Sequence, residues 1–182
     1  MKPETGEGKL GITALDMRIV ISIGICYLTA LLFDYFGLKF SFGEMRLEII
    51  QKMTPCITCL LCCQDNTMIS RKTGVTRLIV TALGGIAAIV VVCLDNVIGN
   101  QWIGIVLIML GTLVTLLLCK LAKVPYISTR IGGVTFILVA CTLPGYARIW
   151  YAIFRLLSTF YGVLVVLLVT WIFQLAAPKK NV

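Results

Sequence analysis

The chain has 182 residues, of which 59% are hydrophobic and 13% are charged, and its formal net charge at pH 7 is +8. Soluble domains are about 45–50% apolar and about 25% charged, so this composition excludes an ordinary soluble domain and predicts a multi-pass membrane protein. Because Lys and Arg gather in the cytoplasmic loops of membrane proteins, we attribute the positive charge to topology and predict no nucleic-acid partner.

The uncharged runs of the chain mark the predicted helices. They lie at 19–33, 53–64, 78–94, 96–119, 131–147 and 156–178. Five of these runs reach or approach the roughly 20 residues that a helix needs to cross the hydrocarbon core. The exception is the run 53–64, whose twelve residues are typical of a re-entrant, interfacial or buried segment. Loop charges do not decide whether it crosses, because five and six spans both leave eleven Lys and Arg on one side and five on the other.

A short internal repeat favours six spans. "RLIVTALGG" begins at Arg77 and "RLLSTFYGV" begins at Arg155, 78 positions later, and we expect each copy to open the third helix of a three-helix half. In each copy the Arg, the Thr four residues on and the Gly seven residues on share one helical face. Tandem halves of three spans must face opposite ways across the membrane, as the inverted repeats of many transporters do.

We therefore predict an all-α membrane protein whose six transmembrane helices form two inverted three-helix repeats, about 15–94 and 97–175. The six-helix domain is expected at 18–176, between cytoplasmic tails at 1–17 and 177–182. The predicted location is the cell inner (plasma) membrane, with both termini cytoplasmic. Because six helices enclose little volume, we also expect a homodimer.

The run 53–64 spans the membrane only if its helix extends over polar residues at one end. Going backward it takes in Glu48 and Lys52, whose i, i+4 spacing allows them to pair on one face. Going forward it takes in Asp65 and Thr67. Charged groups at membrane depth are functional candidates by default; the alternative is that tilt and snorkelling leave these groups at the interface.

The predicted fifth helix is the repeat partner of the second. It contains Gly132 and Gly133 and ends near Pro144, while Pro55 lies in the second helix. Glycine- or proline-interrupted segments at matching places in two halves indicate a binding site near the membrane midplane. Pro55 is equally explained as a helix-start or kink residue.

The stretch "TPCITCLLCCQDNT" holds four closely spaced cysteines, Cys56, Cys59, Cys62 and Cys63. Such spacing occurs around iron–sulfur clusters, but there it lies on a loop that wraps the cluster, and here no flanking Gly supports such a loop. The chain has no histidine, and no second cysteine pair lies where a zinc site needs it. We therefore favour packing of small thiols between helices over metal or redox chemistry, and we predict no metal and no cofactor.

Other chemistry is absent from the sequence. The chain has no phosphate-binding G-x-x-x-x-G-K-[ST] motif. The lack of histidine also excludes Ser-His and Cys-His nucleophile pairs. We predict that the protein is not an enzyme.

One segment resembles a known family. "QDNTMISRKTGVTRLIVTALGG", residues 64–85, resembles the junction of the second and third helices in the aromatic acid exporter / fusaric acid resistance family. The family's T-x-x-x-x-x-x-G-x-x-R-x-x-x-T-x-x-G run is matched by Thr67, Gly74, Arg77, Thr81 and Gly84. "RLLSTFYGVLVVLLVTWIF" is similar to the family's sixth helix, and the plant aluminium-activated malate channels look similar in the same region. The resemblance implies a six-helix membrane domain that moves small organic anions, by efflux in bacteria or by channel conduction in plants.

The candidate site residues follow from the motifs and from the resemblance. Arg77 and Arg155 are expected to begin helices at opposite membrane faces, where the guanidinium adds to the positive helix N-terminus; headgroup anchoring or topology is the alternative for each. The other candidates for the anion path are Thr81, Thr159, Gln64, Thr67, Lys52 and Arg148. The proton-coupling candidates are Glu48, Asp65 and Asp34. The glycines assigned to helix packing are Gly84, Gly162, Gly132 and Gly133.

The predicted function is secondary export of small aromatic or other organic acid anions. The alternatives are a passive anion channel and a non-transporting membrane assembly protein, in which the Arg and Thr residues serve packing alone. The expected partners are the small organic anion, the lipid bilayer and a second copy of the chain.

Overall fold

The computed structural model of the chain describes residues 13–37, 39–42, 45–64, 66–98, 101–143 and 145–176. Within these residues the predicted number of six helices is confirmed, and one short hairpin is added. The elements are α1 (Ala14–Tyr35), β1 (Lys39–Phe42), β2 (Met45–Glu48), α2 (Met53–Cys62), α3 (Thr67–Ile98), α4 (Gln101–Leu121), α5 (Tyr126–Thr142) and α6 (Ala147–Ala176).

Four of the described helices, α1, α3, α4 and α6, are long and apolar enough to cross a membrane. The helix α5 has 17 residues and α2 has only 10. At 1.5 Å per residue α2 is about 15 Å long, half of the roughly 30 Å hydrocarbon core. The expected extension of this helix is wrong in both directions, because Glu48 belongs to β2 and Lys52 is the residue before α2, while Thr67 already begins α3. Asp65 lies outside the described residues.

Local capping explains where α1 begins. The Thr13 backbone N–H donates to Asp16 Oδ2 at 2.8 Å, and the Asp16 N–H donates to Thr13 Oγ1 at 3.2 Å. This capping box satisfies amides that the first turn leaves without partners. The helix therefore begins at Ala14, four residues before the predicted boundary of the membrane domain at 18.

The two arginine motifs do not begin their helices. Arg77 is the eleventh residue of α3 and Arg155 is the ninth residue of α6, so that prediction is wrong. The start of α3 is fixed by Asn66, whose Oδ1 accepts the Met68 N–H at 3.0 Å. Because the dipole effect falls off within the first turn, it does not act on either guanidinium.

The charged segment after α1 forms an antiparallel hairpin that the sequence reading did not predict. Lys39 pairs with Glu48, and Phe42 pairs with Met45. Apolar and polar residues alternate along both strands, which is the period-2 pattern of a strand.

Contacts between helices fix their directions. Cys26 of α1 contacts Cys59 of α2, and Asp34 accepts a hydrogen bond from Lys52. Because the residue numbers change in opposite senses, α1 and α2 run in opposite directions. Arg18 lies over the ring of Phe173 and Thr29 accepts a hydrogen bond from the hydroxyl of Tyr161, so α1 and α6 also run in opposite directions. The start of α1 and the end of α6 therefore lie at the same end of the bundle, which we call the terminal end.

Two further pairs run in the same direction. The backbone N–H of Gln51 donates to Ser158 Oγ at 3.0 Å, and Thr58 lies against Gly162, so α2 is parallel to α6. Val80 lies against Gly132 and Gly84 against Thr135, so α3 is parallel to α5. In each pair the neighbouring residue numbers rise together.

The set of helix pairs in close contact has a simple regularity. The pairs are α1 with α2, α1 with α6, α2 with α3, α2 with α6, α3 with α4, α3 with α5, α3 with α6, α4 with α5, and α5 with α6. Exchanging α1 with α4, α2 with α5 and α3 with α6 converts this set into itself. The helices α3 and α6 therefore occupy the centre, each packed against the other and against the short helix of the other half.

Three of the four glycines assigned to packing lie where a side chain would collide. A Cβ at Gly84 would lie 2.6 Å from the carbonyl oxygen of Gly132, and one at Gly162 would lie 3.0 Å from Cα and O of Pro55. A Cβ at Gly132 would lie 3.0 Å from Cys119 Sγ. The fourth, Gly133, differs, because its nearest neighbour would be 3.9 Å away, an ordinary contact. Close approach of the backbones thus joins α3 to α5 and α6 to α2.

The glycine contacts yield a direct test. We expect Gly84→Ala to lower the free energy of unfolding by about 1–3 kcal/mol, because the new Cβ forces α3 away from the backbone of α5. Gly85→Ala is the matched control, since a Cβ there meets nothing within 4 Å. It should be neutral or stabilising by up to about 1 kcal/mol through helix propensity. Thermal unfolding of the detergent-solubilised protein measures both, and equal shifts of Tm would contradict the packing account.

Candidate functional site

The first feature of the site is the buried arginine of α3. Arg77, Thr81 and Gly84 follow one another on a single face of α3, and all three are buried. The side chain of Arg77 is 7% exposed. In the described part of the chain, no hydrogen-bond partner reaches its Nε and Nη1 atoms or the Oγ1 atom of Thr81, all of which are buried.

Arg77 borders a cavity of 170 Å³, which we call the Arg77 cavity. Its wall combines one cation, two hydroxyl groups, one thiol and apolar side chains. The lining residues are Leu61 and Cys62 from α2, Thr73, Arg77 and Val80 from α3, and Ile127, Ser128 and Ile131 from α5.

A second cavity, of 470 Å³, borders Arg155, and we call it the Arg155 cavity. Arg155 is 8% exposed. The lining residues are Gln51, Lys52, Met53, Thr54 and Ile57 before and in α2, Leu138 from α5, and Tyr151 and Arg155 from α6.

The two cavities are built from corresponding positions. Each is formed by α2, α5 and one of the two central helices, and five of their lining positions match at nearly the same offset along the chain. The matched pairs are Leu61 and Leu138, Thr73 and Tyr151, Arg77 and Arg155, Gln51 and Ser128, and Thr54 and Ile131, each 77 or 78 positions apart.

The cavities lie toward opposite ends of the bundle, while their arginines lie near its middle. The Arg77 cavity is at the end of α2 and the start of α5; the Arg155 cavity is at the start of α2 and the end of α5. Arg77 is ten residues beyond the start of α3 and Arg155 is eight residues beyond the start of α6, so each lies about 12–15 Å from its helix end. Both arginines therefore lie inside their helices and not at the helix starts where they were expected. Their assignment to opposite membrane faces stays a prediction.

The threonines of the two motifs differ. Thr159 is buried and donates its hydroxyl to the carbonyl of Arg155 at 2.9 Å. Thr81 makes no such bond, and its Oγ1 remains without a partner among the described residues. Neither threonine lines the cavity of its arginine.

Lys52 and Asp34, which we assigned to different roles, form one ion pair. Lys52 lines the Arg155 cavity, but its Nζ lies 3.0 Å from Asp34 Oδ2. The expected helical pairing of Lys52 with Glu48 is wrong, because Glu48 lies in a strand, and its side chain lies outside the described residues. The proton-coupling roles of Asp34, Glu48 and Asp65 stay predictions.

Arg148 lies in neither cavity. Its Nη1 donates to Asp95 Oδ2 at 2.9 Å, and its Nε donates to the carbonyl oxygen of Leu143. These bonds join the start of α6 to the end of α3 and to the residue after α5, and the ion pair with Asp95 neutralises the guanidinium. We assign Arg148 to this junction on geometric grounds.

The polar end of the cysteine stretch forms the turn between α2 and α3. The N–H of Gln64 donates to Ser70 Oγ at 3.0 Å, and the hydroxyl of Ser70 is 3.3 Å from the carbonyl of Gln64. Thr67 begins α3 with a buried Oγ1 that has no partner among the described residues. Neither Gln64 nor Thr67 lines the Arg77 cavity or the Arg155 cavity.

The cysteines pack against the apolar face of α6. Cys26, Cys59, Cys62 and Cys63 are buried in one cluster with four valines of α6. Cys26 Sγ and Cys59 Sγ lie 3.4 Å apart as free thiols. The described residues hold no group of three or more side chains suited to a metal ion.

Sequence reasoning found both arginines but missed the polar residues that share their cavities. These residues are Thr73, Ser128, Gln51, Thr54 and Tyr151. A signal was present, because the 78-position offset of the repeat pairs Gln51 with Thr129, the neighbour of Ser128.

Comparisons with known protein families, with curated proteins and with solved structures find no match to this chain. The resemblance to the aromatic acid exporter / fusaric acid resistance family therefore stays a prediction, and the function is argued from the geometry alone.

The assignment of Arg148 predicts a structural effect without a transport effect. We expect Arg148→Gln and Asp95→Asn to be coupled in a double-mutant cycle by about 0.2–1 kcal/mol of unfolding free energy, the range for partly exposed ion pairs. Neither variant should change anion flux, since neither residue borders a cavity. Additive losses of stability, or loss of flux in either variant, would contradict the assignment.

Proposed function

We propose that the chain is a membrane-embedded secondary transporter of small organic carboxylates, with aromatic acids as the leading substrates and the Arg77 cavity as a binding site. One observation carries the proposal: Arg77 is buried at a cavity, and two of its nitrogens have no hydrogen-bond partner in the described part of the chain. A bound anion supplies the hydrogen-bond acceptor that these nitrogens lack.

Burial of this charge in a membrane has a free-energy cost. An arginine at the centre of a transmembrane helix costs about 2.5–3.5 kcal/mol even on insertion scales. A carboxylate offsets that cost, because it accepts two parallel N–H bonds from a guanidinium. The apolar cavity wall and its two hydroxyl groups, Thr73 and Ser128, suit an anion with one charged end and an apolar body.

The placement in a membrane is part of the proposal. It is supported by four long apolar helices and by helix contacts that are unchanged when the two halves are exchanged. The terminal end also carries five exposed cationic residues, Arg71, Lys72, Lys120, Lys123 and Arg130. By the positive-inside rule we place this end, with both termini, in the cytoplasm.

Two alternatives are weighed against transport by alternating access. The Arg77 and Arg155 cavities are separate volumes, which favours a transporter over an open anion channel. A non-transporting assembly protein has no use for a buried guanidinium that lacks an acceptor. Saturable uptake driven by a proton gradient supports the transporter, whereas ohmic anion current supports the channel.

The central test uses purified protein in liposomes loaded with labelled benzoate. We expect Arg77→Gln to reduce benzoate flux at least about tenfold, since a charge-assisted hydrogen bond contributes roughly 1.5–3 kcal/mol and 1.4 kcal/mol corresponds to a factor of ten. Arg71→Gln is the matched control, because Arg71 is an exposed arginine of the same helix. Equal flux in the two variants, with both proteins folded, would refute the proposal.

We further propose a homodimer, since six helices enclose little volume for a path across a membrane. The protein mass in detergent, measured by light scattering with the detergent contribution subtracted, should be twice the 20.0 kDa of one chain. A mass of one chain at the concentrations used for transport would contradict this assembly.

A further inference from the structure

We infer that the Arg155 cavity is a second binding site for the same monovalent organic anion, equivalent to the Arg77 cavity and placed at the other end of the path. The inference rests on the proposed function and adds to it a stoichiometry, a substrate charge and a direction of passage.

The first argument is the match between the cavities. Their shared positions include the arginine itself, a leucine on the wall (Leu61 or Leu138) and a polar residue opposite (Ser128 or Gln51). Because the match extends over three helices, we interpret the two cavities as copies of one site and not as unrelated cavities.

The second argument is that Arg155 is buried at its cavity. Its side chain is more than nine-tenths buried, and it borders the cavity. Donors and acceptors for a bound carboxylate are near, since Gln51, Thr54 and Tyr151 line the same space. The volume of 470 Å³ falls within the range of about 300–1,000 Å³ that small-molecule sites occupy.

The third argument concerns charge. Lys52 also lines the Arg155 cavity, but its ion pair with Asp34 neutralises it. Among the described residues, each cavity therefore has one arginine without an ion-pair partner, which matches a monovalent anion rather than a divalent one.

The packing of the two central helices predicts unequal binding steps. The first anion is attracted by both charges, because Arg77 and Arg155 lie on α3 and α6, which pack against each other. Once it is bound, it cancels part of the positive field that the second anion meets. The second anion thus binds more weakly, and its arrival favours release of the first at the opposite end.

The test is a calorimetric titration of benzoate into the detergent-purified protein. We expect the wild-type protein to bind two benzoates per chain, the second at least several-fold more weakly. Arg77→Gln and Arg155→Gln should each bind one benzoate, and the double variant should bind none. The control Arg71→Gln should match the wild-type protein.

The outcomes distinguish a failure of the second binding site from a failure of the proposed function. A single benzoate per wild-type chain that is lost in either variant means one shared site, which overturns the second site and keeps the proposed function. Two-step binding that is unchanged in Arg155→Gln also overturns the second site. Absence of benzoate binding to the wild-type protein counts against the proposed function itself.

A second pair of variants serves if Arg155→Gln does not fold. Leu138→Trp fills the Arg155 cavity and Leu61→Trp fills the Arg77 cavity, and both leucines are 37% exposed at the protein surface. Each variant should lose one benzoate and keep the other. Leu156→Trp is the control, because Leu156 has the same 37% exposure and lines neither cavity. Two benzoates bound to Leu138→Trp would overturn the inference.

Discussion

The structure depends on one constraint, the burial of a guanidinium whose Nε and Nη1 atoms have no hydrogen-bond partner among the described residues. Arg77 lies on the packed face of α3, in line with Thr81 and Gly84, so the helix cannot turn the charge outward without losing its contact with α5. The backbone contact between Gly84 and Gly132 fixes how closely the two helices approach. The cavity beside Arg77 lies between α2, α3 and α5, and we propose that an anion binds there.

The same arrangement occurs twice in the molecule. Gly162 of α6 contacts Pro55 of α2, as Gly84 of α3 contacts Gly132 of α5. Arg155 lies seven residues before Gly162, and Arg77 lies seven residues before Gly84. In both cases a long central helix carries the charge and a short helix of the other half supplies the close contact. In the proposed inverted repeat, this duplication forms one arginine cavity toward each end of the bundle.

Part of this architecture could be predicted from the sequence. The positions and lengths of the uncharged runs predicted the six helices, and the spacing of Arg, Thr and Gly correctly placed each motif on one buried face. These features depend on residues that are close together along one helix, and a sequence pattern is informative over such short separations. Helix ends were predicted less well, because the cap at Asn66 and the hairpin pairing of Lys39 with Glu48 compete locally with an apolar pattern.

The charged candidates show the limit of such reasoning. Lys52 was expected to pair four residues back, but its partner is Asp34, which α1 brings close from 18 positions away. Arg148 likewise finds Asp95, 53 positions away on α3. Pairs of this kind depend on how helices pack, so the sequence identified charged residues without showing which of them are neutralised. Only the structure separates Arg77 and Arg155, which border cavities, from the paired cations.

The central claim is that a carboxylate binds directly to the guanidinium of Arg77. Solid-state NMR on the protein in lipid bilayers measures this contact as dipolar dephasing between a ¹³C-labelled carboxylate on benzoate and ¹⁵N-labelled arginine side chains. The account predicts strong dephasing, as bonds with an N···O separation of about 2.7–2.9 Å require, and a clear reduction in Arg77→Gln but not in Arg71→Gln. No dephasing in the wild-type protein, or dephasing that Arg77→Gln leaves unchanged, would contradict it.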